Sequence, residues 1–151
     1  RNGTLQVSTL TFLLLAGWAL AQWDYAVPAF QIPGGIHALE HAMIGLLPLF
    51  VLAERQDVGG ISYPFYPRPL PSPGGPTVFI YDGYPGGVGY ARREARRFPE
   101  WLKATVDLLR SCPCEEGCPR CVLSPKCGNG NQYLDKKAAL ALALALAHPL
   151  D

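Results

Sequence analysis

All five cysteines of this chain fall within sixteen consecutive positions, from Cys112 to Cys127. Thiolates at such short spacings, separated by Pro and Gly that turn the backbone, can converge on one tetrahedral metal ion. A disulfide framework is the alternative, but it favours an even number of cysteines spread along the chain. An iron–sulfur cluster could also use four thiolates. Because the short Cys turns resemble structural zinc knuckles, we expect one Zn²⁺.

Four ligands complete a tetrahedral site, so one cysteine is spare. Cys112 and Cys114 flank a single proline and therefore make awkward independent corners of one tetrahedron. Cys112 is expected to be a buried apolar residue at the end of the preceding helix, with a ligand role as the alternate. The predicted ligand set is Cys114, Cys118, Cys121 and Cys127.

His37, Glu40 and His41 fit the pattern H-x-x-E-H. In inverted zinc peptidases the two histidines of this pattern bind zinc and the glutamate activates water. A peptidase needs a third ligand, for which only Glu94 or the neighbouring pair at 115–116 is roughly available. Such short motifs often match by chance, so we expect a structural role and no catalytic residue in the chain. A zinc metallopeptidase remains the alternative.

A glycine-rich turn at residues 82–89 follows a predicted buried strand and leads into a basic helix. It lacks the Gly-Lys-Ser/Thr of a nucleotide-binding P-loop, which excludes an ATP site of that type in this turn. Asp82, Gly86 and Gly87 are expected to shape the turn. The basic helix can grip phosphates while a nearby tyrosine stacks on a base, although a solvated face is the simpler interpretation. The predicted DNA-binding residues are Tyr84, Arg92, Arg93, Arg96 and Arg97.

Composition sets the broad class of the protein. The chain has 151 residues, 49% hydrophobic and 17% charged, which suits one globular domain. Its net charge of +1 gives no general attraction for nucleic acid, so such binding depends on a local patch. The apolar stretch at residues 10–23 is shorter than the roughly 20 residues of a membrane-spanning helix. We expect a cytoplasmic protein without membrane contact, and the first residue, Arg1, indicates a piece of a longer chain.

The expected fold class is α+β, with a small mixed sheet, several helices and a four-cysteine zinc knuckle near the C-terminus. Residues 1–33 are expected to form an apolar segment packed on the core, and residues 34–151 the zinc-binding domain. Helices are predicted at 36–54 (bent at Pro48), 90–97, 99–110 and 135–147, and strands at 59–66 and 77–81. The last helix is almost entirely Ala and Leu after an Asp cap, so a protein-interaction module that docks a partner is a further alternative.

Several motifs in fixed order carry a family resemblance: Gly-Gly-Ile-His-Ala-Leu-Glu-His-Ala at 34–42, Asp-Val-Gly-Gly at 57–60, Ile-Tyr-Asp-Gly-Tyr-Pro-Gly-Gly-Val-Gly at 80–89, Cys-Pro-Cys-Glu-Glu-Gly-Cys-Pro-Arg-Cys at 112–121 and Ser-Pro-Lys-Cys-Gly-Asn at 124–129. Over about residues 34–135 the chain resembles the C-terminal zinc-binding domain of mitomycin-repair-factor-type DEAD/DEAH-box helicases. The resemblance implies four cysteines on one zinc and a scaffold role for the histidine motif.

The same resemblance implies a functional setting for the chain. Such a domain belongs to an ATP-dependent superfamily 2 DNA helicase that moves 3′ to 5′ on single-stranded DNA and acts in DNA repair. ATP and Mg²⁺ are then bound by motor lobes of the same polypeptide that precede this segment. Single-stranded or forked DNA and the motor lobes are the expected partners.

Overall fold

The computed structural model describes residues 27–70, 74–83 and 89–147. In chain order its elements are α1 (Ile32–Leu46), β1 (Val58–Tyr66), β2 (Gly75–Asp82), α2 (Tyr90–Arg96), α3 (Phe98–Ser111) and α4 (Lys136–Ala147). Short 3₁₀ turns occupy Ala29–Gln31, Leu47–Leu49 and Arg55–Asp57. The expected packing of the N-terminal segment falls largely on residues 1–26, outside the described residues.

Helix α1 is the centre of the domain. It packs against β1 and against α4, and α3 packs on both α4 and α1. The indole of Trp101 in α3 is fully buried, and its Nε1 donates a hydrogen bond to the carbonyl oxygen of Met43 in α1 at 2.8 Å. The two helices are therefore joined by a polar contact inside an apolar core. The largest fully buried side chains are Trp101, Ile36, Leu39, Met43, Leu47, Ile80, Leu102, Leu142, Val58 and Val78.

Strands β1 and β2 pair antiparallel, from Val58 opposite Asp82 to Tyr63 opposite Thr77. The register shifts between Tyr63 and Tyr66, where Pro64 has no N–H to give to the ladder. The α+β class and the cysteine cluster near the C-terminus are confirmed. The sheet was expected to be mixed, but the strands in the described part of the chain pair only antiparallel.

The predicted bend in the first long helix is a helix end. α1 stops at Leu46, and Pro48 lies in the first positions of the 3₁₀ turn that follows. Proline offers no amide proton and its ring clashes with the carbonyl one turn earlier, so the α-helix does not continue. At its other end α1 begins at Ile32, four residues before the predicted start, with Pro33 in its first turn.

A close approach of α1 and α4 positions the site. The amide of Asp135 donates to the carbonyl of Gly34 at 3.0 Å, and the Asp135 carboxylate accepts from the amide of Ala138 at 2.9 Å. The predicted Asp cap is thus present. A Cβ on Gly35 would lie 2.7 Å from the Cβ of Ala138, so only glycine permits this separation.

Candidate metal centre

Four thiols converge at the end of α3. Their sulfurs are 3.5 Å apart for Cys112 and Cys114, 3.5 Å for Cys112 and Cys118, 3.4 Å for Cys114 and Cys121, and 3.9 Å for Cys118 and Cys121. Zn–S bonds of about 2.3 Å at tetrahedral angles place sulfurs about 3.8 Å apart. The donor set and its spacing therefore fit one tetrahedral zinc.

This cluster contains Cys112, whereas Cys127 was predicted from the sequence as the fourth ligand. Pro113 disfavours helical backbone at the residue before it, and Cys112 leaves α3 with an extended φ of −65° and ψ of 123°. Alternate side chains of an extended segment point to the same side, so Cys112 and Cys114 share one site despite their spacing. Cys127 lies apart from them, with its Sγ 3.6 Å from Nε2 of His37.

The loop after Cys114 is folded as a tight knuckle. The carbonyl of Cys118 accepts hydrogen bonds from the amides of Cys121 at 3.0 Å and Leu123 at 3.1 Å. Gly117 has a φ of 135°, and a Cβ there would lie 2.6 Å from a methyl group of Val122. Glycine therefore lets the chain reverse between the second and third thiols of the cluster.

Lys136, at the start of α4, reaches into the cluster and was not anticipated from the sequence. Its Nζ donates to the carbonyl of Cys112 at 2.8 Å, to the carbonyl of Cys114, and to the Cys114 sulfur at 3.2 Å. The residue is buried. A buried ammonium beside thiolates offsets part of their negative charge, and its bonds to the Cys114 sulfur and to two backbone carbonyls fix this part of the cluster, as outer partners of metal ligands commonly do.

The same contacts set the acidity of the metal-free thiols. Burial acts to raise the pKa of Cys114, but hydrogen bonds from Lys136 and the neighbouring thiols outweigh it and lower that pKa to about 6. Burial raises the pKa of Cys121. At neutral pH Cys114 would therefore offer a thiolate to a metal ion, whose binding would favour the thiolate form of the other ligands.

The histidines of the H-x-x-E-H motif lie together on one face of α1, with ring centroids 4.4 Å apart. Nδ1 of His41 lies 2.7 Å from the carbonyl oxygen of Val122, and burial lowers the pKa of His41. The third potential ligand beside the pair is Cys127, where the sequence had pointed only to acidic residues. Burial raises the pKa of Glu40, and a hydrogen bond with Ser62 partly opposes this effect. The resulting pKa is about 7.

All four arginines predicted to bind DNA are exposed. Arg97 is partly committed within the domain, because it forms an ion pair with Glu100 at 2.7 Å and covers the ring of Phe50 at 5.0 Å. Arg93 lies 6.0 Å from the ring centroid of Tyr90. The more available guanidinium groups therefore belong to Arg92, Arg93 and Arg96.

The glycine turn that precedes the arginines is only partly described. Tyr84, Gly86 and Gly87 fall outside the described residues. Asp82 is buried at the end of β2, and its Oδ2 accepts a hydrogen bond from the amide of Gly89 at 2.7 Å. Asp82 thus joins the two ends of the turn. Among the described residues, no helix combines the length and apolarity needed to cross a membrane.

A family profile described as the MrfA Zn-binding domain matches residues 39–122. An uncharacterized protein of Methanocaldococcus jannaschii is 36% identical over 107 residues, covering 71% of this chain and 95% of that protein. The uncharacterized ATP-dependent helicase YprA of Bacillus subtilis is 34% identical over 95 residues, which cover 58% of this chain and 12% of the helicase.

A solved structure agrees with these matches. The crystal structure of the DUF1998 helicase MrfA bound to DNA superimposes with a TM-score of 0.61 and 27% sequence identity, over 82% of this chain and 16% of that one. The family resemblance drawn from the sequence motifs is confirmed. The chain spans nearly all of the archaeal relative but only a small part of either helicase.

Proposed function

The chain belongs to the MrfA Zn-binding domain family, and from this premise we propose that it is the accessory zinc domain of an ATP-dependent superfamily 2 DNA helicase. In this role it supports DNA binding and unwinding during repair in the cytoplasm. Motor lobes of the same polypeptide bind ATP and Mg²⁺, and the chain itself contributes no catalytic residue. The observation that carries the proposal is the similarity to a DNA-bound helicase over 82% of this chain.

A structural zinc at the four-thiol cluster is the first part of this function. Cys112, Cys114, Cys118 and Cys121 would hold the ion, and Lys136 would balance part of the ligand charge. When bound, the zinc would contribute folding free energy and hold the end of α3 against the knuckle loop, and Lys136 would link this site to the start of α4. Because α4 packs on α1, the bound ion would also stabilise the contact between these helices.

A local basic surface is the second part of the proposed function. Arg92, Arg93 and Arg96 are exposed on α2, on a chain whose net charge is only +1. Guanidinium groups bind phosphate oxygens without reading base sequence, which suits an accessory domain that tracks single-stranded or forked DNA. Arg97, which is paired with Glu100, is expected to contribute less.

The test compares two matched double variants in the polypeptide that joins this chain to its motor lobes. Arg93 and Arg96 are changed to alanine in one, and Lys103 and Arg110, exposed on α3, in the other. Both lose the same charge. Affinity for a fluorescent single-stranded oligonucleotide is measured across a salt series, with zinc content and melting temperature as folding controls.

Each lost phosphate contact should reduce the log–log salt slope by about 0.7, so the α2 variant should lose about 1.4. The α3 variant should keep the parent slope. The isolated chain should bind the oligonucleotide more weakly than the joined polypeptide does. The variants should keep the same order of affinity in both. Equal slopes for both variants, with fold and zinc intact, would remove the DNA-binding role and leave a structural one.

A further inference from the structure

Three side chains of ligand type converge away from the four-thiol cluster. One ligand atom from each of His37, His41 and Cys127 lies within 4.8 Å of the other two. For Zn–S of about 2.3 Å and Zn–N of about 2.05 Å, tetrahedral geometry places sulfur and nitrogen about 3.6 Å apart. The observed distance from Cys127 Sγ to His37 Nε2 is 3.6 Å. The pair is therefore already spaced as two ligands of one ion.

The hydrogen bond of His41 fixes which of its nitrogens is available. A carbonyl oxygen can only accept, so the 2.7 Å contact with Val122 requires a proton on Nδ1. In the neutral ring Nε2 then keeps its lone pair. A ring nitrogen held by a backbone carbonyl, with the other nitrogen free, is the usual arrangement of metal-binding histidines.

The loop that carries Cys127 is held in place independently of any ion. The side chain of Asn131 accepts from the amide of Ser124 at 2.7 Å and donates to its carbonyl at 2.9 Å. The carbonyl of Cys127 accepts from the amide of Gly130 at 3.2 Å. These bonds present the thiol to α1 from a residue 90 positions away along the chain.

Space for a fourth ligand is available beside the three side chains. They line a cavity of about 670 Å³, whose wall also includes Glu40, Asn129 and Tyr133. Three protein ligands and an accessible fourth position are the pattern of zinc sites that bind water or an exogenous ligand. Structural zinc sites instead use four protein ligands.

We propose that His37, His41 and Cys127 form a second Zn²⁺ site, with its fourth position open to this cavity. Two imidazoles and one thiolate suit zinc better than Mg²⁺ or Ca²⁺, which prefer oxygen ligands. The zinc count of the chain becomes two, whereas the sequence predicted one zinc and no metal on the histidines. The second ion ties α1 to the loop that follows the four-thiol cluster.

The proposal is tested by zinc stoichiometry of the full chain after equilibration with buffered micromolar Zn²⁺. The parent should retain two zinc ions per molecule, and His37→Ala and Cys127→Ser should each retain one. Lys126→Gln is the matched control, since Lys126 lines the same cavity without belonging to the ligand set, and it should retain two. One zinc in the parent at saturation would overturn the proposal.

Thiol protection provides a second measurement that does not depend on stoichiometry. Alkylation followed by peptide mass analysis reports Cys127 separately from the four clustered cysteines. Zinc should slow alkylation of Cys127 in the parent and in Lys126→Gln, but not in His37→Ala, in which the four-thiol cluster should stay protected. Equal alkylation of Cys127 in the parent with and without zinc would refute the site, whatever the outcome at the four-thiol cluster.

Discussion

Replacing Lys136 by methionine tests whether a buried ammonium supports the four-thiol zinc site. Methionine keeps most of the volume and the apolar stem but removes the charge and three donated hydrogen bonds. The neighbouring Lys137 is exposed, so Lys137→Met is a control with the same change of charge and composition. A difference between the two variants therefore reports the position of the ammonium.

The expected loss of zinc affinity in Lys136→Met follows from the charge of the cluster. Zn²⁺ and four thiolates sum to a formal charge of about −2, and the pKa of Cys114, lowered to about 6, already places negative charge beside Lys136 in the metal-free cluster at neutral pH. Two unit charges about 4 Å apart interact by about 4 kcal/mol at an effective dielectric constant of 20. Water that replaces the ammonium solvates the cluster and recovers part of this interaction energy. We expect Lys136→Met to weaken zinc binding 10- to 100-fold, about 1.4–2.8 kcal/mol, as for other outer partners of metal ligands.

Zinc affinity is measured by competition with a chromophoric chelator at pH 7.5, and unfolding is followed separately. The carbonyls of Cys112 and Cys114 lose their partner whether or not zinc is bound, so that cost should appear in stability and largely cancel in zinc affinity. Lys137→Met should bind zinc as the parent does. Equal zinc affinities for the two variants would refute the charge-balancing role of Lys136.

Three further changes test the ligand set, the buried carboxyl and the helix contact. Cys112→Ser should abolish zinc binding at the four-thiol cluster while Cys127→Ser preserves it, because only Cys112 lies with the other three sulfurs. Zinc protection of Cys114, Cys118 and Cys121 from alkylation, measured by peptide mass analysis, distinguishes the two variants even when each retains one ion. Protection that is lost in Cys127→Ser and kept in Cys112→Ser would restore the ligand set chosen from the sequence. Burial raises the pKa of Glu40 from its ordinary 4.5 to about 7, so the folded state holds a proton that the unfolded state has released. That contribution to stability is complete below pH 4.5 and is lost as pH rises toward 7, by on the order of 3 kcal/mol. Glu40→Gln should remove this loss of stability with rising pH. Denaturant unfolding of the parent and the variant at pH 5.5 and pH 8 measures it. The same pH dependence of the unfolding free energy in both proteins would show that Glu40 is ionised in the fold. Gly35→Ala should cost about 1–3 kcal/mol because its new methyl group meets α4. In Gly128→Ala the methyl group meets nothing within 4 Å, so equal melting temperatures of the two alanine variants would contradict the close approach of the helices.

Local features of the chain were predictable from the sequence. Soft donors at short spacing indicate a soft metal whatever the fold around them, and two histidines four residues apart share a helical face by helix geometry alone. The Asp135 cap is likewise a contact between residues three positions apart. Pro48 marked an interruption of its helix, but the sequence did not distinguish a bend from an end.

Only the tertiary structure decided which side chains complete each site. Cys112 joins the cluster because α3 ends there in extended backbone, and Cys127 faces His37 because the packing of α1 brings together residues 90 positions apart. Lys136 reaches the thiols only because α4 begins beside them. Sequence spacing limits which ligands can meet within one segment, but contacts between segments depend on how the helices pack. The preference for a soft metal was therefore predictable from the sequence. The fourth thiol, the buried ammonium and the grouping of two histidines with Cys127 were not.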